Sequence, residues 1–233
     1  MDGRQRIALY GGTFDPVHVG HISVAQKLSQ LFELERVLFI PACVAPHKRE
    51  RDVTAALHRF AMLALATQHE PRLRVSKIEL DAPEKPYTVE TLLRLRSACR
   101  EKARLFFVMG ADSWSEITTW REWERVLTLT DHIVVARPGY ELETGHVTPA
   151  IRERIVDLRG AAPEEMARAV GDAQGEKIYV TDAVVLDISA TAVRRAVREG
   201  QRDEWLALVQ PIVAEYIEKY RLYKDQHGTE YFD

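Results

Sequence analysis

Gly11-Gly12-Thr13-Phe14-Asp15-Pro16-Val17-His18-Val19-Gly20-His21 is the stretch on which the reading of this chain turns. The apolar run Ile7-Ala8-Leu9-Tyr10 precedes it and Ile22-Ser23-Val24-Ala25-Gln26-Lys27-Leu28 follows, which places it at the turn between a first strand and a first helix. Paired glycines let the backbone approach a ligand without a Cβ in the way. The N–H groups and positive dipole end of the following helix attract anions. His18 and His21 flank that mouth, and Gly20 keeps the space between them clear. Two imidazoles beside an anion site point to chemistry on phosphate. Zinc ligation is the weaker reading, because no cluster of Cys, Asp or Glu nearby completes a coordination sphere. Loop-capping histidines are the blander one. The G-x-G-x-x-G dinucleotide fingerprint is absent.

The surrounding composition is that of an ordinary globular chain. With 233 residues, 46% of them hydrophobic, it is long enough to bury a substantial core in one domain. The balance of 32 basic against 35 acidic residues, formal net charge −3, argues against a nucleic-acid-binding stripe. No apolar run approaches membrane-spanning length and no leader pattern precedes the first strand, so the expectation is a cytoplasmic protein with neither nucleic-acid nor membrane partners. Self-association into a homo-oligomer is left open by the sequence. Cys43 and Cys99 form no metal or redox spacing and read as buried free thiols.

Along the chain, β-rich runs alternate with segments of helical period. Arg36–Pro41, Arg72–Leu80, Leu105–Met109, His132–Ala136 and Lys177–Val180 read as strands after the first one. Ala55–Gln68, Thr88–Ser97 and a stretch from Ser113 to Leu127 read as helices. Runs such as Val37-Leu38-Phe39-Ile40 are apolar on both faces, as strands of a parallel sheet covered by helices must be. The fold class expected is α/β, a doubly wound parallel sheet of Rossmann-like type with a helical C-terminal end, which binds ligands at the carboxyl ends of its strands. Residues 1–223 read as a single domain, with an insertion at 141–176 in which Ile151–Leu158 and Pro163–Val170 look like two surface helices. Residues 224–233 read as a tail.

A second polar constellation follows the last strand. In Asp187-Ile188-Ser189-Ala190-Thr191-Ala192-Val193-Arg194, Ser189 or Thr191 suits a helix N-cap and Arg194 lies one turn inside. As pure structure this is a well-capped helix. Two hydroxyls, helix N–H groups and a guanidinium also suit an anion.

The first stretch resembles the H-x-G-H signature of the nucleotidylyltransferase superfamily, and its longer form G-G-T-F-D-P-x-H-x-G-H is similar to the nicotinate-nucleotide adenylyltransferase branch. The second resembles that family's I-S-S-T-x-I-R motif, with Ala190 in place of the middle serine and Val193 in place of the isoleucine. The resemblance implies adenylyl transfer from ATP to nicotinate mononucleotide, with Mg²⁺ carried on the ATP phosphates. Gly11, Gly12, Thr13, Phe14, His18, Gly20 and His21, with Ser189, Thr191 and Arg194, would then bind ATP. His18, His21, Arg194 and Lys48, which follows Pro46-His47, would carry the chemistry. Lys48, Asp112 and Trp120 would hold the mononucleotide. Arg137 would lie near the nucleotide. Thr88, after Pro86-Tyr87, reads as the N-cap of a helix facing the stacking tryptophan, where backbone N–H groups can take a carboxylate. Nicotinamide mononucleotide or phosphopantetheine as acceptor is the alternative. An aminoacyl-tRNA synthetase relative and a non-catalytic nucleotide sensor are more remote.

Overall fold

Strand runs that are apolar on both faces have only one stable destination, a sheet covered by helices on either side. The computed structural model describes residues 4–43, 53–84, 86–99, 102–136, 142–183 and 188–224. In chain order these form β1 (Gln5–Gly12), α1 (Val19–Leu31), β2 (Arg36–Pro41), α2 (Ala56–Thr67), β3 (Leu73–Val75), α3 (Thr88–Cys99), β4 (Ala103–Gly110), α4 (Ala111–Ser115) and α5 (Trp123–Leu129). There follow β5 (Asp131–Val135), α6 (Pro149–Arg152), β6 (Ile155–Asp157), α7 (Pro163–Asp172), β7 (Ile178–Thr181), α8 (Ala190–Arg198), α9 (Arg202–Leu206) and α10 (Pro211–Lys219). The seven strands among the described residues lie in the order β3-β2-β1-β4-β5-β7-β6, and every pairing is parallel. The order reverses between β1 and β4, which opens a crevice beyond their carboxyl ends.

Side-chain alternation splits the core in two. Ala8, Phe106, Val108, Ile133 and Tyr179 face one side, where Ile22 and Leu28 of α1, Val193 of α8 and Val213 of α10 cover them. Leu9, Phe107, Met109, Val134 and Ile178 face the other, against Leu92 of α3, Trp114 of α4 and Leu127 of α5. The doubly wound parallel sheet expected from the sequence is therefore the fold.

Four local expectations change. Ile151–Leu158 is not a helix: α6 ends at Arg152, and Ile155–Asp157 is β6, an edge strand paired with β7. Three residues, two half-buried and one exposed, carry too little pattern to announce a strand; only the ladder itself, with Leu158 N donating to Val180 O at 2.8 Å, defines it. β3 stops at Val75, and the expected strand to Leu80 turns away. The helix expected over Ser113–Leu127 is broken where Trp120 is extended and Glu122 left-handed, with a single 3-10 turn at Ile117–Thr119 between α4 and α5. Cys43 and Cys99 are half-buried rather than buried.

At the amino ends of the strands, opposite the crevice, Asp131 ties three strands together. It accepts Arg104 Nε at 2.7 Å and Nη2 at 3.0 Å from β4, and the Lys177 amide at 2.8 Å just before β7. The pair is nearly dry, with side chains 11% and 3% exposed. Removing one partner of such a pair leaves a buried charge uncompensated. Asp131→Ala should therefore lower unfolding free energy by about 3–5 kcal/mol, read as a fall in denaturant midpoint, while a neutral effect would show that the pair is not buried in solution.

Candidate active site

The turn after β1 is held by what its residues cannot otherwise satisfy. Phe14 adopts a left-handed backbone, φ 51°, and buries its ring against Tyr10, Phe39 and His21 at centroid distances of 5.5, 5.4 and 5.0 Å. A Cβ on Gly12 would come within 2.8 Å of that ring, so the glycine is needed for the ring to lie there. Beneath the turn, the buried Arg59 of α2 donates to Thr54 O (2.8 Å), Thr13 O (2.7 Å), Ala42 O (2.7 Å) and Cys43 O (3.2 Å). Asp15 is buried beside it; its carboxylate accepts from the Thr54 amide at 3.2 Å and from the Tyr223 hydroxyl at 2.8 Å.

His18 occupies the N-cap position of α1 and stacks on His21, ring centroids 3.6 Å apart at 28°. His21 Nδ1 accepts the His18 amide at 3.2 Å, so a neutral His21 carries its proton on Nε2. Burial holds His18 down to about 4, and burial with the neighbouring His18 charge holds His21 well below the ordinary value for histidine. Both rings are thus neutral donors at pH 7. Gly20 makes room for the stack, since a Cβ there would lie 3.0 Å from His18 Nδ1. The helix start offers fewer amides than the sequence suggests: Val19 N is committed to Leu208 O at 3.0 Å, and His18 N to His21.

Across the crevice, Ser189 caps α8, its hydroxyl accepting from Ala192 N at 3.1 Å. Arg194 donates Nη1 to Asp15 O at 2.7 Å and Nη2 to Thr191 Oγ1 at 3.2 Å. Thr13, Phe14, His18, Gly20, His21, Ser189 and Arg194 line one open cleft of about 340 Å³, with Gly110 and Asp112 from the end of β4 and the start of α4. The ATP-side residues read from sequence are therefore largely brought together. Thr191 is outside the lining, and its hydroxyl accepts from Arg194. Gly11 and Gly12 lie behind it, packed on Phe107 and Phe14. Asp112, assigned to the mononucleotide, shares the cleft with the histidines.

Of the remaining mononucleotide candidates, Trp120 and Thr88 lie outside that lining. Trp120 is half-buried and packs edge-on to Phe107 at 6.3 Å. Thr88 is the first helical residue of α3, not its N-cap: Glu90 N and Thr91 N donate to Tyr87 O at 2.9 and 3.2 Å, so the cap is one residue earlier. The Glu90 carboxylate accepts the Tyr87 amide at 3.0 Å, and the Arg121 guanidinium sits 4.7 Å over the Tyr87 ring. Lys48 and Arg137 lie outside the described residues. Arg59, Asp15 and Tyr223 are what residue-by-residue reading missed. Arg59 had a signal, since it falls on the same helical stripe as the buried Met62, Leu63 and Ala66, where a charge needs a reason.

A cleft at the switch point of a parallel sheet, faced by neutral imidazoles instead of a glycine fingerprint, belongs to phosphate-group chemistry and not to dinucleotide binding of the dehydrogenase kind. The cytidylyltransferase-like family model matches residues 9–196, the span from β1 to α8 that holds both walls of the cleft. Relatives named "probable nicotinate-nucleotide adenylyltransferase" match over almost the whole length. One from Desulfatibacillum aliphaticivorans is 38% identical, covering 94% of this chain and 99% of the relative. Another from a Thermoanaerobacter species is 34% identical, covering 96% and 97%. The chain belongs to the nicotinate-nucleotide adenylyltransferase family. The fold is shared with a Plasmodium falciparum nicotinic acid mononucleotide adenylyltransferase, solved in complex with NaAD, at TM-score 0.71 and 19% identity over 94% of this chain and 98% of that one.

The burial of the histidine pair has a solution signature. A histidine held below its ordinary value of about 6.5 leaves stability intact above that pH, and loses it as pH falls towards the folded value of about 4. In the ligand-free protein, the His18 ring resonances should accordingly stay in the neutral position down to about pH 5, reading the value near 4. A midpoint near 6.5 would show that the stack is open to water.

Proposed function

We propose that this chain is an enzyme of NAD biosynthesis that transfers the adenylyl group of ATP to nicotinate mononucleotide, giving nicotinic acid adenine dinucleotide and pyrophosphate. The observation that carries the reading is the stacked His18/His21 pair facing the α8 start and Arg194 across one cleft, in a chain that is alike along nearly its whole length to nicotinate-nucleotide adenylyltransferases. A 5′-phosphate oxygen of the mononucleotide bonds to the α-phosphorus of ATP as the bond from that phosphorus to the β-phosphate oxygen breaks. Pyrophosphate leaves with the electron pair. No general base is required, because the attacking phosphate is already an anion, so the protein's task is alignment and charge stabilisation.

On this reading His21, through Nε2–H, and His18 donate to the α-phosphate. The Ser189–Ala190 start of α8 and Arg194 take the leaving pyrophosphate. Asp112, on the cleft lip, receives sugar hydroxyls. Trp120 and the start of α3 at Thr88 hold the pyridine ring and its carboxylate, and Lys48 neutralises phosphate. Mg²⁺ enters as part of the MgATP substrate. Among the described residues no group of three or more His, Cys, Asp or Glu is arranged to hold an ion, and phosphate oxygens with water are the ligands it ordinarily prefers. Residues 1–223 act as one nucleotidyltransferase domain, and the cytoplasm, where ATP is abundant, is the compartment this function implies.

Pyrophosphate release from MgATP tests the proposal with nicotinate mononucleotide, its amide and phosphopantetheine offered in turn. kcat/KM should favour the acid over its amide by about tenfold or more, since a wrongly turned carboxamide leaves a helix-start donor unpaired. Preference for either of the other acceptors would overturn it. In the same assay, His18→Ala and His21→Ala should each cut kcat by about 10²–10³ with a smaller change in ATP affinity. Normal turnover at saturation would reduce the pair to binding residues.

A further inference from the structure

The end of the described chain folds back to the active-site turn. α10 closes in a Schellman arrangement: Arg221 is left-handed, φ 50°, its amide donates to Glu218 O at 3.2 Å, and the Leu222 amide donates to Ile217 O at 3.0 Å. That accounts for the first left-handed residue. Tyr223, two positions on, is left-handed as well at φ 66°, a conformation bulky side chains seldom adopt and one that helix termination does not require. What the turn achieves is a contact. The Tyr223 hydroxyl reaches Asp15 Oδ1 at 2.8 Å, across 208 residues of sequence.

Asp15 is 2% exposed and stands at the junction of both cleft walls. Its backbone carbonyl accepts Arg194 Nη1 at 2.7 Å, so this guanidinium already lies against the residue that bears the carboxylate. The carboxylate itself is occupied by Tyr223 on one oxygen and by the Thr54 amide on the other. Burial and the Asp15 charge push the Tyr223 phenol well above its ordinary value, so it remains a proton donor throughout the neutral range. If the phenol oxygen were removed, a buried carboxylate would lack a donor and would draw on a neighbouring cation. Arg59 is the poorer candidate, since its donors are spread over four backbone carbonyls. Arg194 holds only two acceptors among the described residues, and one of them is on Asp15 itself.

We infer that Tyr223 is a positioning residue for adenylyl transfer: by occupying the Asp15 carboxylate it keeps Arg194 turned to the cleft, so that the turn after α10 completes the phosphate site. This rests on the reading that Arg194 holds ATP phosphates. The test is Tyr223→Phe in the full chain, which keeps the ring and its packing. ATP affinity by calorimetry and KM for ATP should weaken about tenfold, the scale of one hydrogen bond to a charged group, with a much smaller change in kcat. In an Arg194→Ala background, or with Asp15→Asn, where no charge remains to capture the guanidinium, the same substitution should add little. Unchanged ATP affinity in Tyr223→Phe, while Arg194→Ala weakens it, would overturn the positioning role and leave the function standing. Full additivity of the paired substitutions would overturn it too, marking Tyr223 as merely structural. An Arg194→Ala protein with unaltered ATP affinity would overturn both the positioning role and the reading of Arg194 on which it rests.

Discussion

A guanidinium with almost no access to water holds the mouth of the sheet in shape. Arg59 is 1% exposed, and its donors end on carbonyls from the β1 turn, the β2 turn and the approach to α2. Beyond the carboxyl ends of parallel strands the backbone leaves its ladder, and every buried carbonyl there needs a donor from elsewhere. One arginine supplies the donors for three segments at once. Burial lowers its pKa, and Asp15 leads the charges that oppose this. The cation is tolerable only because its protons are used and a carboxylate lies near, and the carboxylate is tolerable for the same reason. With these two charges in place, Phe14 can take its left-handed turn and α1 can begin after its N-cap His18.

The same constraint explains why the C-terminal elements belong to the site. Val19 N, the first helical amide of α1, is bonded to Leu208 O beyond α9, and Asp15 is bonded to Tyr223 beyond α10. Both contacts satisfy polar groups that the active-site turn leaves over. Without α8 to α10 those groups would be exposed and the face made by Ala8, Phe106 and Tyr179 would lose part of its cover. α8 to α10 therefore act as a cover for the core and as a source of partners for the turn.

Elements whose pattern is local were legible in the sequence. The end of β2 is legible because proline closes it, and the two-sided apolar runs point to the parallel class because a buried strand has no polar face. The histidine turn and the α8 cap were legible because glycines, imidazoles and hydroxyls at fixed spacing carry their chemistry with them. What could not be read was set by distant partners. β6 exists only through its ladder to β7. Thr88 reads as a cap until Glu90 is seen to reach back to the Tyr87 amide. The contact of Arg194 Nη2 with the Thr191 hydroxyl, which joins two residues of one helix start, is likewise visible only in the structure. Asp15 and Tyr223 meet across most of the chain, a separation at which no spacing rule operates.

On the proposed reading, charge in the cleft develops with the ligand. Burial keeps His18 and His21 neutral before anything binds, which avoids the cost of holding two unpaired cations in a partly dry site. A polyphosphate placed against them reverses that balance, because a nearby anion favours the charged form of imidazole. Only one ring of a pair stacked at 3.6 Å can respond fully, since a second positive charge at that distance is repelled by the first. On the proposed reading the pair is therefore suited to deliver at most one additional charge, and to deliver it where negative charge gathers as the adenylyl group moves. Arg194, fixed by Asp15 O and Thr191, supplies the permanent charge on the opposite wall. On the proposed mechanism the permanent cation holds the polyphosphate in ground state and transition state alike, while an inducible one at the reacting centre stabilises the transition state more than the bound substrate, the difference on which rate depends.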